Sequence, residues 1–124
     1  MRLSRDLLSL SGSQQRQHTE DPSNMFIAMN RFRIASGHEA EFVEIWRQRD
    51  SRLAEVPGFL RFNLLQGGRE DDATVFISQT SWVSDNHFWA WTRSEAFRAA
   101  HAGAGAHHGL YLGPPRFESF EAVL

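Results

Sequence analysis

Three side chains in this sequence, Asn30, Trp91 and His101, combine useful chemistry with an unusual setting. His101 closes a predicted helix, with Phe97 one turn earlier on the same helical face. A neutral imidazole in such a position can ligate a metal ion. The helix dipole also favours a histidine near a helix C-terminus for structural reasons alone. Spacing by itself therefore leaves both interpretations of His101 open.

Asn30 and Trp91 are each open to two interpretations as well. Asn30 stands in the middle of an apolar, strand-like segment, and burying an unpaired amide costs about 1–3 kcal/mol. Its side chain therefore either bonds a neighbouring backbone group or directs a donor at a bound ligand. Trp91 follows Phe88 and Trp89. Such an indole either packs in the core or lines a pocket for a flat aromatic ligand.

The composition excludes several kinds of chemistry. The chain has 124 residues and no cysteine, which removes disulfides, thiolate nucleophiles and covalently attached c-type haem. Its 13 basic residues are all arginine, so no Schiff-base or P-loop lysine is possible. A net charge of -2 gives no reason to expect nucleic acid or an anionic membrane as a partner. The longest apolar runs are too short to cross a bilayer.

Residues 1–24 differ from the rest of the chain, because they are rich in serine and glutamine and poor in apolar residues. They lack the long apolar stretch and small-residue cleavage site of a secretory signal. We expect a flexible N-terminal tail over 1–24, a single folded domain over 25–124 and a cytoplasmic location.

The elements that must position the three side chains follow the order β-α-β-β-α-β. Periodicity and breakers predict strands at 25–34, 59–66, 73–82 and 117–124, helices at 38–54, 85–92 and 95–102, and a hairpin turn at 67–72. Ser84 and Ser94 are predicted to cap the second and third helices. This order is typical of an α+β protein with the ferredoxin-like split βαβ fold and an antiparallel sheet.

The first three predicted strands are apolar on both faces. On the first strand, one face carries Asn30 among apolar residues that include Phe26 and Phe32, and the other face carries Ile27 and Met29. The helical segments can cover only one face of a four-stranded sheet. An uncovered apolar face is a partner-binding surface, and we predict a homodimer packed sheet on sheet.

From Met25 to Leu124 the chain resembles the IsdG/MhuD-type haem-degrading monooxygenases of the antibiotic biosynthesis monooxygenase superfamily. The resemblance rests on MFIAMNRFRI at 25–34, PGFLRFNLL at 57–65 and AWTRSEAFRAAHAG at 90–103. Members form dimeric α+β barrels from ferredoxin-like protomers. Their catalytic asparagine, tryptophan and histidine fall on Asn30, Trp91 and His101.

The resemblance implies that haem is both cofactor and substrate. His101 would ligate the iron, Asn30 would offer its amide to the ligand on the other side of the iron, and Trp91 would ruffle the porphyrin. The ring would be opened oxidatively, with release of iron. Electrons would come from an external donor, either a reductase or a small reductant. Four apolar side chains are predicted to line the pocket, namely Phe26, Phe32, Leu64 and Phe97.

Three other functions remain open at this stage. A cofactor-free oxygenase of the same superfamily would act on a polycyclic phenol or quinol, and His101 would then be incidental. A haem-binding protein without turnover would use the same histidine. A dimeric interaction module would leave the combination of Asn30, Trp91 and His101 unexplained.

Overall fold

The computed structural model describes residues 25–49, 52–101 and 108–124. Its elements are β1 (Phe26–Ala35), α1 (Glu39–Arg47), β2 (Phe59–Glu70), β3 (Ala73–Trp82), α2 (Asp85–Thr92), α3 (Glu95–His101) and β4 (Arg116–Glu121), with short 3-10 turns at Leu53–Glu55 and His108–Leu110. The predicted α+β, ferredoxin-like fold is thereby confirmed. The predicted tail over 1–24 lies outside the described residues. No helix in the described ranges is long and apolar enough to cross a membrane.

The four strands form one antiparallel sheet in the order β2-β3-β1-β4. β1 is therefore an inner strand, and its midpoint lies near the centre of the sheet. Asn30 on β1 pairs with Ser78 of β3 on one side and with Phe117 of β4 on the other. The register brings these three side chains to the same face, since directly opposed residues share a face in a sheet.

The helices pack on the Asn30 face of the sheet and divide the core into two clusters. The first cluster includes Phe26, Trp82, Phe88 and Trp91. The second is made of Phe32, Ile34, Phe42 and Phe76. Period-2 burial along β1 produces this arrangement, because alternate side chains of a strand point to the same face.

The opposite face of the sheet is uncovered in the protomer and carries a group of apolar side chains among polar and charged ones. Two cross-strand pairs, Ile27–Phe120 and Leu65–Ile77, lie on it. Phe120 is 53% exposed and Leu65 is 41% exposed. No described helix covers this face, as the alternation on the strands predicts. The homodimer itself stays a prediction.

The predicted turn of the β2–β3 hairpin, residues 67–72, was too long. The turn is only Asp71-Asp72, and β2 continues to Glu70, which pairs with Ala73. Asp71 takes the left-handed φ of 57° that a tight hairpin needs. The strand passes through Gly67 and Gly68 because a register irregularity between Gln66 and Arg69 absorbs them.

The prediction for the first helix was also wrong in length. α1 ends at Arg47 rather than at residue 54. Arg52 has a left-handed φ of 53°, which a right-handed helix cannot contain. The chain instead enters a 3-10 turn, and Leu53 packs into the first core cluster.

The structure differs from the predicted pattern at the ends of two strands. β4 ends at Glu121 rather than at residue 124 because Glu121 already pairs with Phe26, the first residue of β1. A bulge between Phe59 and Arg61 brings Phe59 against Trp82 on the helix-covered face, with ring centroids 5.6 Å apart. Without the bulge, strict alternation would place Phe59 on the other face from Phe62 and Leu64.

Candidate active site

A cavity of about 470 Å³ lies between the sheet and the helices. This volume is within the range of small-molecule sites in proteins. We call the sheet side the floor and the helical side the roof. The floor residues are Ala28, Asn30, Phe62, Ser78, Thr80 and Phe117, and the remaining lining residues are Trp46, Arg49, Leu53, Phe88, Trp89, Trp91, Thr92, Phe97 and His101.

The structure brings the three predicted site residues together around this cavity. Asn30 comes from β1, Trp91 from α2 and His101 from α3. Phe97, a predicted wall residue, also lines it. The other three predicted wall residues do not: Phe26 lies in the first core cluster, Phe32 lies in the second, and Leu64 packs against the second.

His101 is held in a single useful tautomer. Its Nδ1 lies 2.8 Å from the backbone carbonyl oxygen of Phe97. A carbonyl can only accept, so Nδ1 carries the proton and Nε2 keeps its lone pair. The imidazole also stacks on the Phe97 ring, with centroids 4.1 Å apart and planes 28° apart. Such a second bond orients an imidazole and raises its basicity as a metal ligand.

Trp91 is buried but its indole N–H has no hydrogen-bond partner within the described residues. The ring packs edge-on against Phe97 at 4.8 Å and lies 6.0 Å from the His101 ring. A buried donor left unpaired costs about 1–3 kcal/mol.

The short connection between α2 and α3 fixes Trp91 relative to His101. The Ser94 hydroxyl donates to the Trp91 carbonyl oxygen at 2.6 Å and accepts from the Phe97 N–H at 3.1 Å. Ser84 likewise caps α2 by accepting from the His87 N–H. Both predicted caps are confirmed. They set where each helix begins, and hence which side chains reach the roof.

The Asn30 side chain makes no hydrogen bond to any other described residue. Of the two interpretations of this residue, a bond to a neighbouring backbone group is therefore not observed among the described residues. Its amide is on the floor of the cavity, between Ser78 and Phe117. A free amide in this position can donate to or accept from a ligand lying against the floor.

One corner of the cavity, which is aromatic and cationic, was not predicted from the sequence. Trp46 stacks on Phe62 with ring centroids 5.6 Å apart and planes 20° apart. The Arg49 guanidinium lies 4.0 Å from the centre of the Trp46 ring, a cation–π contact. The indole N–H of Trp46, like that of Trp91, is buried without a partner in the described ranges. The helical spacing of Trp46 and Arg49 in the sequence would by itself indicate only a side of α1 that faces the core.

Arg49 is the one permanently charged side chain that the described part of the chain contributes to the cavity wall. Burial lowers the pKa of its guanidinium, and the nearby Tyr111 acts weakly in the opposite direction. Arginine nevertheless stays protonated in proteins. Among the described residues no group of three or more histidines and carboxylates converges as a metal site. Among the described residues, His101 is the only imidazole that lines the cavity.

A four-stranded antiparallel sheet with helices on one face, and a cavity between the two layers, places this protein in the ferredoxin-like class of α+β proteins. A sequence model of the antibiotic biosynthesis monooxygenase family matches residues 25–103, and the chain belongs to this family. A heme-degrading monooxygenase of Shouchella clausii is 32% identical over 89 residues, which are 72% of this chain and 82% of that protein. The resemblance identified from the sequence is thereby confirmed.

Solved structures of similar fold carry different chemistry. A point mutant of MhuD with two manganese protoporphyrin IX molecules bound per active site is 28% identical, with a TM-score of 0.62 over 80% of this chain and 95% of that one. SnoaB, a cofactor-independent oxygenase from Streptomyces nogalater, is 23% identical, with a TM-score of 0.57 over 80% and 93%. The similarity to SnoaB concerns the fold alone.

Proposed function

We propose that this protein is a haem-degrading monooxygenase that binds haem through His101 and opens the porphyrin ring oxidatively with release of iron. The observation that carries this proposal is the state of His101. Its Nδ1 is engaged by the Phe97 carbonyl oxygen, and its ring lies at the cavity wall. Nε2 is thus the nitrogen available to an iron centre. The heme-degrading monooxygenase of Shouchella clausii and the porphyrin-bound MhuD mutant support haem as the ligand of this cavity.

The cavity also fits the other chemical features of haem. A porphyrin is a flat aromatic ring, and aromatic side chains from β2, β4, α1, α2 and α3 line the site. The ring carries two propionate carboxylates, and arginine pairs well with carboxylates. The Arg49 guanidinium at the cavity wall makes no ion pair with a carboxylate within the described ranges, so a propionate would supply its counter-charge.

The residues act on the bound substrate from opposite walls. When bound, haem supplies both the iron that activates oxygen and the ring that is oxidised. His101 holds it from the roof, with the Phe97 carbonyl oxygen fixing the imidazole and increasing its basicity. Asn30 faces it from the floor and offers an amide N–H where negative charge develops. A preorganised donor in a site shielded from water stabilises such charge strongly.

Trp91 shapes the substrate. Packing by Phe97, Trp82 and Phe88 leaves its ring little freedom, so the indole presses on the porphyrin rather than yielding to it. A porphyrin strained in this way would be more readily oxidised at the ring itself. Electrons come from an external donor, a reductase or a small reductant.

The proposal includes a homodimer formed through the uncovered sheet face and a cytoplasmic location. The Ile27–Phe120 and Leu65–Ile77 pairs give that face its apolar centre. A second copy packed on it would bury Phe120 and Leu65, which are 53% and 41% exposed in the protomer. A monomer at micromolar concentration by light scattering would contradict this part of the proposal.

An absorption titration of the apoprotein with hemin, followed by ascorbate in air, tests the function. We expect a saturable Soret band that then bleaches as an open-chain tetrapyrrole appears. A stable Soret band with ascorbate and with a supplied reductase would indicate a haem-binding protein without turnover. No Soret band would contradict the proposal and favour a cofactor-independent oxygenase.

A further inference from the structure

One polar group on the floor of the cavity has no role in the assignments above. Ser78 is only 8% exposed, and it lines the cavity directly opposite Asn30 on the neighbouring strand. Directly opposed residues of an antiparallel pair have Cβ atoms about 4.5–5.5 Å apart. The Ser78 hydroxyl and the Asn30 amide are therefore close enough to contact one small molecule together.

The Ser78 hydroxyl differs from the other hydroxyls on the same face of β3. The Thr74 hydroxyl donates to Glu39 Oε2 at 2.6 Å. The Thr80 hydroxyl accepts from the Trp82 indole N–H at 2.8 Å. Within the described residues, the Ser78 hydroxyl makes no hydrogen bond. It is not one of the fully buried unpaired polar atoms of the described residues, which are the indole nitrogens of Trp46 and Trp91, so the hydroxyl is accessible from the cavity and available to bond a ligand there.

We propose that Ser78 and Asn30 form a two-point hydrogen-bonding site for a small polar ligand of the haem iron on the side opposite His101. This inference rests on the proposed function, since it requires haem between the floor and the roof. A hydroxyl both donates and accepts. Ser78 therefore complements the amide of Asn30: together they hold a diatomic ligand or an anion in one orientation against the floor.

The chain contains a matched control for this hydroxyl. Ser81 lies on the same strand and is 7% exposed, but the register assigns it to the opposite face of the sheet. Ser78→Ala and Ser81→Ala thus remove the same group from equally buried positions of one strand. Only the first removal reaches the cavity. Ser78→Thr retains the hydroxyl and serves as the conservative variant.

The experiment uses the haem-loaded protein and two probes that report binding rather than turnover. Azide is titrated against the ferric complex, and the C–O stretching frequency is recorded for the ferrous carbon monoxide complex without oxygen. Ser78→Ala should raise the azide dissociation constant roughly two- to tenfold, as expected for the loss of one hydrogen bond. It should also raise the C–O frequency. Ser81→Ala should change neither value, and Ser78→Thr should restore both towards the original.

The outcomes separate this inference from the proposed function. Normal haem binding in Ser78→Ala with unchanged azide affinity and C–O frequency would overturn the inference and leave the function intact. Equal shifts in Ser81→Ala would also overturn it, because the effect would then be a general change in the sheet. Failure of the unaltered protein to bind hemin would overturn both. If Ser78→Ala does not fold, Ser78→Cys replaces the hydroxyl with a weaker donor of similar size and is held to the same outcomes.

Discussion

The Nδ1 atom of His101 lies 2.8 Å from the backbone carbonyl oxygen of Phe97, one turn earlier on α3. The same two residues stack their rings at 4.1 Å. Side-chain orientation and tautomer are therefore both set within one helical turn. No distant element is needed to present Nε2 to the cavity. A histidine whose only role is to stabilise the helix C-terminus through the dipole does not need its ring plane to be fixed.

Replacing His101 should remove the bond to the haem iron. His101→Ala leaves the aromatic walls and Arg49 in place, so hemin should still associate, but more weakly and without an imidazole ligand. The electron paramagnetic resonance and absorption spectra of the ferric complex would report the changed ligand field. His38→Ala is the control, since His38 lies exposed at the start of α1 and pairs with Glu41. An unchanged ligand-field spectrum in His101→Ala would remove this residue from the iron.

Asn30→Ala should separate binding from turnover. The variant keeps His101 and therefore the iron–imidazole bond, but it loses the donor on the floor of the cavity. Loss of one preorganised donor of this kind lowers the rate by about 10²–10³. Hemin affinity by Soret titration should remain close to the original, while single-turnover bleaching with ascorbate slows. Asn86→Ala, on the exposed side of α2, should bleach at the original rate. Full activity in Asn30→Ala would contradict its assignment.

Trp91→Phe should distinguish the indole from a merely packed ring. Deleting the ring as Trp91→Ala would cost about 3–5 kcal/mol in a buried position, so phenylalanine is the better replacement. It removes the unpaired indole N–H and part of the surface that presses on the porphyrin. We expect a flatter macrocycle by resonance Raman spectroscopy and an altered product. Asn86→Ala changes an exposed residue of the same helix outside the cavity wall and should leave both unchanged. If Trp91→Phe has the same Raman spectrum and the same product as the original protein, Trp91 only packs in the core and does not distort the porphyrin.

Strand alternation and helix-capping residues predicted those parts of the site that are set within one strand or one helix. The alternation on β1 assigned Asn30 to the helix-covered face, and the two serine caps assigned the starts of α2 and α3. The rest of the wall depends on tertiary structure. Alternation gives the face of a strand but not which end of that face the helices cover. Phe26 and Phe32 therefore lie in core clusters rather than in the cavity wall.

The corner around Arg49 was beyond sequence analysis for a related reason. The i, i+3 spacing brings Arg49 onto Trp46 as it would in a helix, but the sequence does not reveal that α1 stops at Arg47 and that Arg52 is left-handed. Arginine has no intrinsic preference for that conformation. Tertiary packing of Leu53 into the first core cluster outweighs the local helical pattern. Phe62, which completes this corner, comes from β2, so its contact with Trp46 depends on tertiary structure.

The contact between α1 and β3 should make stability depend on pH. The Thr74 hydroxyl bonds Glu39 Oε2 at 2.6 Å, and this bond is the main reason why the pKa of Glu39 lies below its ordinary value of 4.5. A lowered folded-state pKa adds stability above the unfolded pKa, and this contribution is lost as the pH falls through the folded value. Urea unfolding of Thr74→Val should therefore show a deficit at neutral pH that shrinks on acidification. The deficit of Thr92→Val, whose hydroxyl bonds the Trp89 carbonyl oxygen, should not vary with pH. A constant deficit in Thr74→Val would contradict the linkage.

Two glycines allow backbone strain to be separated from steric overlap. Gly58 and Gly37 have similar left-handed φ values of 84° and 95°. A Cβ on Gly58 would lie 2.2 Å from Cγ of His87, whereas a Cβ on Gly37 would meet nothing within 4 Å. Both alanine variants should lose about 1–2 kcal/mol from the left-handed backbone. Gly58→Ala should lose roughly 1–3 kcal/mol more because the His87 ring must move. Urea denaturation measures both free energies of unfolding. Equal losses would mean that the His87 ring yields freely, and the position of α2 would then not depend on its contact with Gly58.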